Sequence, residues 1–399
     1  MSEDVWSFEI SADTPYQSGL ILARADNPNL FILNHSAAFL WSLRQSLPNG
    51  ADLVQPYSSH FGISPQQASA DIGSTLRSWS PLLSDDQPVI FGQQQRKQSG
   101  DLNEPPANTT VPSLAFTTDF SLGVSSFRLT VSHDARDFVE EIRPRLVHLL
   151  TARTPSSSPN FSLHVSRSPY DSALRVSRDN EAVFVGCAPD AAVARTLVLQ
   201  EIGRLACDPL PEWLAILHAA ALAHPVTGNA VILAASTNSG KSTLAAALLS
   251  SGLRLLSDDS AAITTTRQVL SLPFALMLRS GSWPVLAPYF PELDTSPVYH
   301  RYGEPVRFLP PTSISTCAAR PRHIVFIQYK PDGPEAKLQP LSRLEVFYRL
   351  QQSGFWVPHT RAAITDFVQW VLSVPAYQLT YSHVPAAIQQ VHTLLGSER

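Results

Sequence analysis

One part of this chain constrains its fold more than any other, because a strand, a glycine-containing loop, a helix and a second strand follow one another there. The run NAVILAA from Asn229 is continuously aliphatic, which is typical of a strand buried on both faces of an α/β sheet. Ala235, four further residues and then Gly240-Lys241-Ser242 match the phosphate-binding loop pattern, with alanine in the first glycine position. The sequence therefore predicts an α/β core built around a phosphate site.

The loop contains the groups that a nucleoside triphosphate needs. Backbone N–H groups at a helix N-terminus hold phosphate oxygens, a lysine reaches the terminal phosphates, and a hydroxyl binds Mg²⁺. Lys241 and Ser242 suit the last two roles, and Asn238 is predicted to have a left-handed backbone, which asparagine tolerates better than most residues. The predicted ATP-binding residues are Ser236, Thr237, Asn238, Ser239, Gly240, Lys241, Ser242 and Thr243.

Two adjacent carboxylates follow the loop. The helix STLAAALLSS is predicted to end at Gly252, and the next strand, LRLLS, leads directly into Asp258 and Asp259. Ligands of α/β folds bind at the carboxyl ends of the strands, so we expect the pair beside the loop. In phosphoryl transfer one carboxylate can hold Mg²⁺ while another accepts the proton of a nucleophilic hydroxyl, and the sequence thus predicts an ATP- and Mg²⁺-dependent transferase.

The segment LHAAALAHPVTGNAVILAASTNSGKSTLAAALLSSGLRLLSDDSAAI resembles the catalytic core of the HPr serine kinase/phosphorylase family, especially its relatives in biosynthetic gene clusters. Three signals match: a histidine before the first strand, the loop, and a strand ending in Asp-Asp. The resemblance implies that Asp258 is the general base toward a serine hydroxyl, that Asp259 and Ser242 hold Mg²⁺, and that Lys241 stabilises the transferring phosphoryl group. It also implies that His218 is the active-site histidine.

Some residues in this region have alternative explanations. His224 is a weaker candidate for the family's histidine, and the alternative interpretation of His218 is a partly buried structural histidine, with the functional interpretation slightly favoured. The segment LPFALMLRSGSWPVL resembles the one that follows the Asp pair in these relatives, which makes Arg279 a candidate phosphate contact, although a solvated surface arginine explains it as well. The glutamate-containing signature of the bifunctional HPr enzymes is absent, so neither phosphorylase activity nor HPr as substrate is implied.

The chain is predicted to divide into an N-terminal domain, a linker and a larger domain. The polar stretch GQQQRKQSGDLNEPPANTTV lacks hydrophobic periodicity and contains two adjacent prolines, as expected of a linker over residues 92–111. Residues 1–91 predict small strands and three short helices, with Asn34 or Ser36 capping the first helix and Ser64 the third. In residues 112–399 the runs FRLTVS, FSLHVS, ALRVS and AVFVG predict an antiparallel sheet ahead of the P-loop core.

The N-terminal domain has a winged-helix-like pattern and resembles the PqqD-like peptide chaperones. LFILNHSAAFLWSL matches the opening of those proteins and HFGISPQQASADIGSTLRSW matches their closing helix, whereas Pro56 departs from their middle helix. In that family a peptide adds a strand to the small sheet by main-chain hydrogen bonds. The resemblance implies that a ribosomally made precursor peptide, or another protein substrate, binds this domain.

Charge argues against the DNA-binding winged helix that shares this topology. The formal net charge is −4, and between residues 25 and 95 the basic residues are Arg44 and Arg77 against five aspartates. DNA affinity comes largely from lysine and arginine at phosphates, so we expect neither a nucleic-acid partner nor an anionic membrane surface.

Other features limit the class of protein without naming a substrate. No apolar run approaches the roughly 18 residues of a membrane span, and the start MSEDVWSFEI lacks the pattern of a secretory signal, so we expect a cytoplasmic protein. The three cysteines are widely spaced and are predicted to be buried. The resemblance alone suggests a homo-oligomer.

Three functions therefore remain. The leading hypothesis is a serine/threonine peptide kinase, the second is a nucleotide-gated peptide-binding protein that transfers nothing, and the third is a DNA-binding regulator with an ATPase switch.

Overall fold

The computed structural model describes residues 5–10, 18–24, 27–48, 51–79, 114–122, 125–150, 159–179, 183–206, 212–236, 238–301, 303–315 and 317–396 of the 399-residue chain. Within these residues the fold is a mixed α/β fold with several sheets and ten α-helices, as the α/β prediction requires. The predicted linker 92–111 and Thr237 of the loop lie outside the described residues. No helix in this described part of the chain is long and apolar enough to cross a membrane.

The first part of the chain forms the predicted small strands and three helices. They are β1 (Val5–Ile10), β2 (Gly19–Arg24), β3 (Asn27–Asn34), α1 (His35–Ser46), α2 (Val54–Phe61) and α3 (Pro65–Ser78). The sheet is antiparallel with β2 in the centre. Of the two predicted caps for α1 the structure uses Asn34, whose side chain accepts the Ala37 N–H at 3.0 Å, and Ser64 caps α3 by accepting the Gln67 N–H at 3.2 Å.

Pro56 does not prevent the second helix from forming. It is the third residue of α2, within the first turn, where backbone N–H groups have no partner inside the helix and a missing donor costs little. Gly62 ends the helix with a φ of 65°.

The small sheet packs between two hydrophobic cores. Leu20, Leu22 and Leu33 face the three helices of this module, whereas Ile21 and Ala23 point to the opposite face and join the large core of the following domain. Side chains alternate between the faces of a strand, so one short sheet serves both cores. The N-terminal module is therefore packed against the rest of the chain.

A second sheet follows with helices on one face. Its elements are β4 (Leu114–Leu122), β5 (Ser125–Ser132), a 3₁₀ turn (His133–Ala135), α4 (Asp137–Leu146), β6 (Phe161–Arg167), β7 (Leu174–Arg178), β8 (Val183–Ala188) and α5 (Ala191–Leu205). The strand order is β4-β5-β6-β7-β8. Alternate residues of β5, such as Phe127 and Leu129, pack against Phe138 of α4 and Val198 of α5.

The prediction that this sheet is purely antiparallel is wrong at one pair. β5 and β6 are parallel, while the other neighbours are antiparallel. The reason is α4, which lies between these strands in the chain and carries it back across the sheet, as parallel pairing requires.

The remaining elements build the central sheet and its surroundings. In chain order they are β9 (Trp213–Leu217), β10 (Ala219–Ala223), β11 (Ala230–Ala234), α6 (Lys241–Ser250), β12 (Arg254–Ser257), β13 (Ala261–Thr264), β14 (Leu276–Arg279), a 3₁₀ turn (Ser280–Ser282), α7 (Trp283–Leu286), a 3₁₀ turn (Pro291–Thr295), β15 (Tyr299–Arg301), β16 (Glu304–Leu309), β17 (Pro321–Tyr329), β18 (Ala336–Pro340), α8 (Arg343–Ser353), β19 (Phe355–Trp356), α9 (Arg361–Ser373), β20 (Ala376–Tyr381) and α10 (Val384–Gly396). The six-stranded sheet has the order β12-β10-β11-β17-β20-β18, and two three-stranded sheets have the orders β13-β9-β19 and β14-β16-β15.

The central sheet sets the position of the phosphate loop. β11, β17 and β20 are parallel, and β12 runs in the same direction because both β11 and β12 are antiparallel to β10. Helices α6 and α10 cover one face, and α8 and α9 cover the other. The carboxyl ends of these four strands therefore meet at one rim, where the loop after β11 and the Asp pair after β12 lie.

The cysteines are not all buried as predicted. Cys187 is half-buried on β8 and Cys317 is exposed in the segment before β17, while Cys207 lies outside the described residues.

Candidate active site

The loop between β11 and α6 has the backbone that its sequence predicts. Asn238 has a φ of 67° and Gly240 a φ of 88°, so both occupy the left-handed region. Asparagine tolerates this region and glycine enters it without penalty. The prediction for Asn238 is confirmed, and α6 begins at Lys241 with its first N–H groups directed back toward the loop.

Two tyrosines brace the loop from neighbouring strands. The Tyr329 N–H donates to the Ser239 carbonyl at 3.2 Å, and the Tyr381 hydroxyl donates weakly to the Gly240 carbonyl at 3.4 Å. A Cβ at Gly240 would lie 2.8 Å from that hydroxyl, so glycine is required here for space as well as for backbone conformation. Ser236 and Ser239 join their hydroxyls at 2.8 Å across the loop.

Lys241 connects the loop to the acidic pair. Its ammonium group donates to the Asp258 carbonyl at 3.1 Å and to the Asp259 carboxylate at 3.2 Å. Ser242 and Thr243 occupy the same first turn of α6 and are half-buried. The predicted lysine and hydroxyl groups are thus beside the predicted carboxylates.

The two aspartates occupy different environments. A tight turn follows β12, in which the Ser257 hydroxyl donates to the Ser260 carbonyl at 2.7 Å. The Asp258 side chain is 3% exposed, and its Oδ2 accepts the Met277 N–H at 3.3 Å. The Asp259 side chain is 46% exposed at the rim.

The structure brings His218 to the pair and places His224 elsewhere. His218 lies between β9 and β10, where its N–H donates to the Gly354 carbonyl at 2.9 Å and its Nε2 lies 3.2 Å from Asp259 Oδ1. His224 lies at the opposite end of β10, where its Nδ1 accepts the N–H groups of Val226 and Thr227 in a turn. That turn gives His224 a structural role.

Arg145 is a site residue that the sequence analysis missed. It comes from α4, and its Nη1 lies 4.0 Å from Asp258 Oδ2 and its Nη2 3.7 Å from Asp259 Oδ2. It is 3% exposed, donates to the Ala275 carbonyl at 2.7 Å and lies over the Phe308 ring.

A signal for this arginine was present in the sequence. Arg145 follows Phe138 and Ile142 by seven and three residues, so it continues the apolar stripe that α4 buries. An arginine on a buried stripe requires an anionic partner, but the partner's identity depends on the fold.

Arg279 has a different partner from the one proposed for it. Its guanidinium pairs with Glu304 at 3.0 Å across β14 and β16. A surface ion pair explains this arginine without a phosphate.

The environments move the two pKa values in opposite directions. Burial raises the pKa of Asp258, against the attraction of Lys241 and Arg145. For Asp259, desolvation in the crowded site also favours the protonated form, but Lys241, the hydrogen bond from His218 and Arg145 outweigh it and hold its pKa well below the usual range. Paired carboxylates with divergent pKa values are typical of acid and base assignments in active sites.

The oxygen donors at this site suit Mg²⁺. Asp258 Oδ1 is buried and makes no hydrogen bond of ordinary geometry within the described residues, although the nearby Ser242 hydroxyl lowers the pKa of Asp258. Hard oxygen donors are the ligands that Mg²⁺ prefers, and it commonly takes one or two carboxylates plus phosphate oxygens. The described residues contain no group of three or more His, Cys, Asp or Glu side chains that could hold a metal ion by themselves.

A small cleft opens beside the Asp pair. Arg145 and both aspartates line one side, and Leu199 of α5 and Phe274 line the other. A group entering this cleft would meet the carboxylates directly.

Compared with models of known protein families and with curated proteins, the chain shows no match.

Proposed function

We propose that this protein is an ATP- and Mg²⁺-dependent kinase that transfers the γ-phosphate to a serine or threonine hydroxyl of a peptide or protein. The observation that carries the proposal is the convergence of Lys241, His218 and Arg145 on the Asp259 carboxylate, with the Asp258 carboxylate beside it, next to a loop with left-handed backbone at Asn238 and Gly240. Phosphoryl transfer depends mainly on positioning and on electrostatic stabilisation, which these groups supply. The resemblance to HPr-kinase-type enzymes implies a role for Lys241, His218 and the two aspartates, and the structure adds Arg145 to them.

Lys241 and the N–H groups at the start of α6 would stabilise charge on the transferring phosphoryl group. Ser242 and a neighbouring carboxylate would hold Mg²⁺, which when bound neutralises the charge of the phosphates. In the present arrangement Lys241 is held by Asp259, so it must turn toward the phosphates when a nucleotide binds.

We assign the two aspartates in the reverse of the order that the resemblance implies. A general base must come within hydrogen-bond reach of the acceptor hydroxyl, and Asp259 is the exposed member of the pair. Asp258 is buried beside Ser242, and its Oδ1 makes no hydrogen bond of ordinary geometry within the described residues, which suits the metal. Its raised pKa makes Asp258 the stronger base of the two, so the two asparagine variants below distinguish this order from its reverse.

The test incubates the protein with γ-labelled ATP, Mg²⁺ and peptides encoded beside its gene, and locates added phosphate by mass spectrometry. Asp259→Asn should retain Mg²⁺-dependent ATP binding and lose about 10²- to 10⁴-fold in transfer rate. Asp258→Asn should instead weaken the Mg²⁺ dependence of ATP binding. Asp119→Asn, which breaks an arginine pair between β4 and β5 outside the residues of the site, is the matched control and should behave as wild type.

If the two variants show the opposite pattern, Asp258 is the base and our assignment is wrong. If the wild-type protein binds ATP and peptide but modifies neither the peptides nor neighbouring enzymes, the kinase proposal fails.

One observation favours a second candidate, a nucleotide-gated peptide-binding protein. The Tyr348 hydroxyl donates to the Ile32 carbonyl and the Gln351 amide to the Leu30 carbonyl, each at 3.3 Å, so α8 covers the β3 edge of the N-terminal sheet. The same helix reaches the phosphate loop through Arg349, which lines a cavity with Ser236. Strand addition by a peptide at β3 would require these α8 side chains to move, and the nucleotide site lies against the same helix.

A further inference from the structure

A second cavity lies across the phosphate loop from the Asp pair. In the central sheet β12 carries the Asp pair on one side of β11, and β17 and β20 lie on the other side. The cavity lies between the loop, these two strands and α8, and its lining includes Ser236, Ser239, Gln328, Arg349 and Gln378. It is therefore continuous with the loop but separate from the site of the carboxylates.

Gln378 lines this cavity and has a buried side-chain acceptor. The residue is 7% exposed, and its Nε2 donates weakly to the Leu379 carbonyl at 3.4 Å. Its Oε1 is buried and accepts no hydrogen bond within the described residues. An unpaired buried acceptor is costly, so this oxygen calls for a donor from a ligand.

Arg349 presents a positive charge to the same space. Among the described residues its guanidinium has no ion-pair or hydrogen-bond partner, and neither aspartate nor glutamate lines the cavity. A guanidinium is the side chain best suited to phosphate oxygens. The cavity thus offers one group for an anion and one for a hydrogen-bond donor.

A nucleoside triphosphate carries both kinds of group, since its phosphates are anions and the ribose that follows them has hydroxyl donors. In the proposed function the terminal phosphate lies at Lys241 and the Asp pair. The nucleoside must therefore extend from the loop in another direction, and β17 and β20 lie on the side of β11 away from the Asp pair. Register places Gln378 beside Phe326, which in turn lies beside Ala234 at the end of β11, so the buried amide is level with the start of the loop.

Resting on the proposed function, we infer that this cavity is the ribose subsite of the nucleoside triphosphate. A ribose hydroxyl donates to Gln378 Oε1, and Arg349 pairs with a phosphate on the nucleoside side of the chain.

The experiment compares the binding of Mg²⁺-ATP and Mg²⁺-2′,3′-dideoxy-ATP by calorimetric titration. The wild-type protein should prefer ATP by about three- to tenfold, the contribution of one neutral hydrogen bond. Gln378→Leu should bind both nucleotides equally, at the affinity that wild type has for the dideoxy compound. Arg349→Gln should weaken both by about tenfold and leave the preference unchanged.

Two further variants keep the result interpretable. Gln378→Glu retains an acceptor at nearly the same position, so it should keep the preference for ATP even though its negative charge lowers both affinities. Gln389→Leu makes the same glutamine-to-leucine change at an exposed position on α10 and should bind as wild type. Equal melting temperatures would exclude misfolding as the cause of a change.

If wild type does not distinguish the two nucleotides, or if Gln378→Leu still does, the ribose subsite is refuted while ATP binding by the loop stands. If Arg349→Gln weakens peptide binding but not ATP binding, the cavity binds the acceptor peptide, and the inference is also refuted. If wild type binds neither nucleotide, the proposed function itself fails.

Discussion

Replacing Arg145 with methionine removes the fixed cation from the centre of the site while keeping a side chain of similar length. Arg145 and Asp258 are each 3% exposed, with 4.0 Å between Nη1 and Oδ2. At an effective dielectric constant of about 20 a pair at this distance attracts by about 4 kcal/mol, and breaking a buried pair from one side typically costs about 3–5 kcal/mol. The contact with Asp259 adds less, because that carboxylate is 46% exposed and screened by solvent.

This cost divides into two parts with different pH dependence. Loss of the hydrogen bond to the Ala275 carbonyl leaves a buried acceptor unpaired at every pH, at about 1–3 kcal/mol. The rest comes from the uncompensated charge of Asp258, whose pKa is already raised by burial and rises further without Arg145. A carboxyl with a folded-state pKa above its unfolded value stabilises the protein most below the unfolded pKa, and that contribution is lost as pH rises through the folded pKa.

The destabilisation should therefore be smallest near the ordinary aspartate value of 3.8 and largest at pH 8. Urea unfolding at a series of pH values, followed by tryptophan fluorescence, measures it. Arg301→Met is the matched control, because Arg301 is also buried, also lies over Phe308 and pairs with Glu141, which retains Arg195. Its loss of stability should be smaller and nearly independent of pH. An Arg145→Met protein with a pH-independent loss, or with wild-type stability, would refute the electrostatic reasoning.

Three further predictions concern the loop and the N-terminal module. Gly240→Ala should weaken ATP binding by about tenfold or more in calorimetric titrations, because the new Cβ would lie 2.8 Å from the Tyr381 hydroxyl and the residue has a φ of 88°. Adding Tyr381→Phe, which removes that hydroxyl, should restore part of the affinity. Asn238→Gly should leave the ATP affinity near that of wild type, because glycine also adopts a φ of 67°. The β-branched Asn238→Val should weaken ATP binding by about 1–2 kcal/mol at this φ. Equal ATP affinities of the two variants would show that the loop rearranges. The double variant Tyr348→Phe, Gln351→Leu removes both side-chain donors to the β3 edge. A labelled precursor peptide that adds to this edge should then bind about three- to tenfold more tightly, as measured by fluorescence anisotropy. Unchanged affinity would show that the peptide binds elsewhere.

The features that the sequence predicted correctly depend on local chemistry. Ser64 caps α3 because its hydroxyl accepts an N–H three residues ahead, and Asn238 takes the left-handed conformation within a loop of fixed length. Gly252, with a φ of 101°, follows α6 as the sequence indicates. In each case the residues that determine the local geometry are neighbours in the chain, so packing against distant segments has little effect on that geometry.

The features that the sequence analysis missed depend on contacts between distant segments. Arg145 reaches the Asp pair across more than 100 residues, and no spacing rule relates α4 to β12. The parallel pairing of β5 and β6 follows from α4 as a crossover helix, a signal that was present but was outweighed by the alternating patterns of the strands. Cys317 was expected to be buried from residue type alone, yet it lies in an exposed connection.

Arg145 of α4 and Lys241 beside the loop both contact the Asp pair, but they differ in their freedom to move when a nucleotide binds. Lys241 has a flexible stem, and in the proposed kinase it would leave Asp259 to bind the phosphates. Arg145 is held by the Ala275 carbonyl, by the Phe308 ring and by burial, and cannot follow the phosphates. A bound triphosphate adds negative charge beside two carboxylates at the moment that Lys241 leaves them. In the proposed function, a fixed arginine from a different part of the fold would then continue to lower the pKa of both carboxylates, which is a physical reason for the second sheet and α4 to pack against the phosphate-loop core.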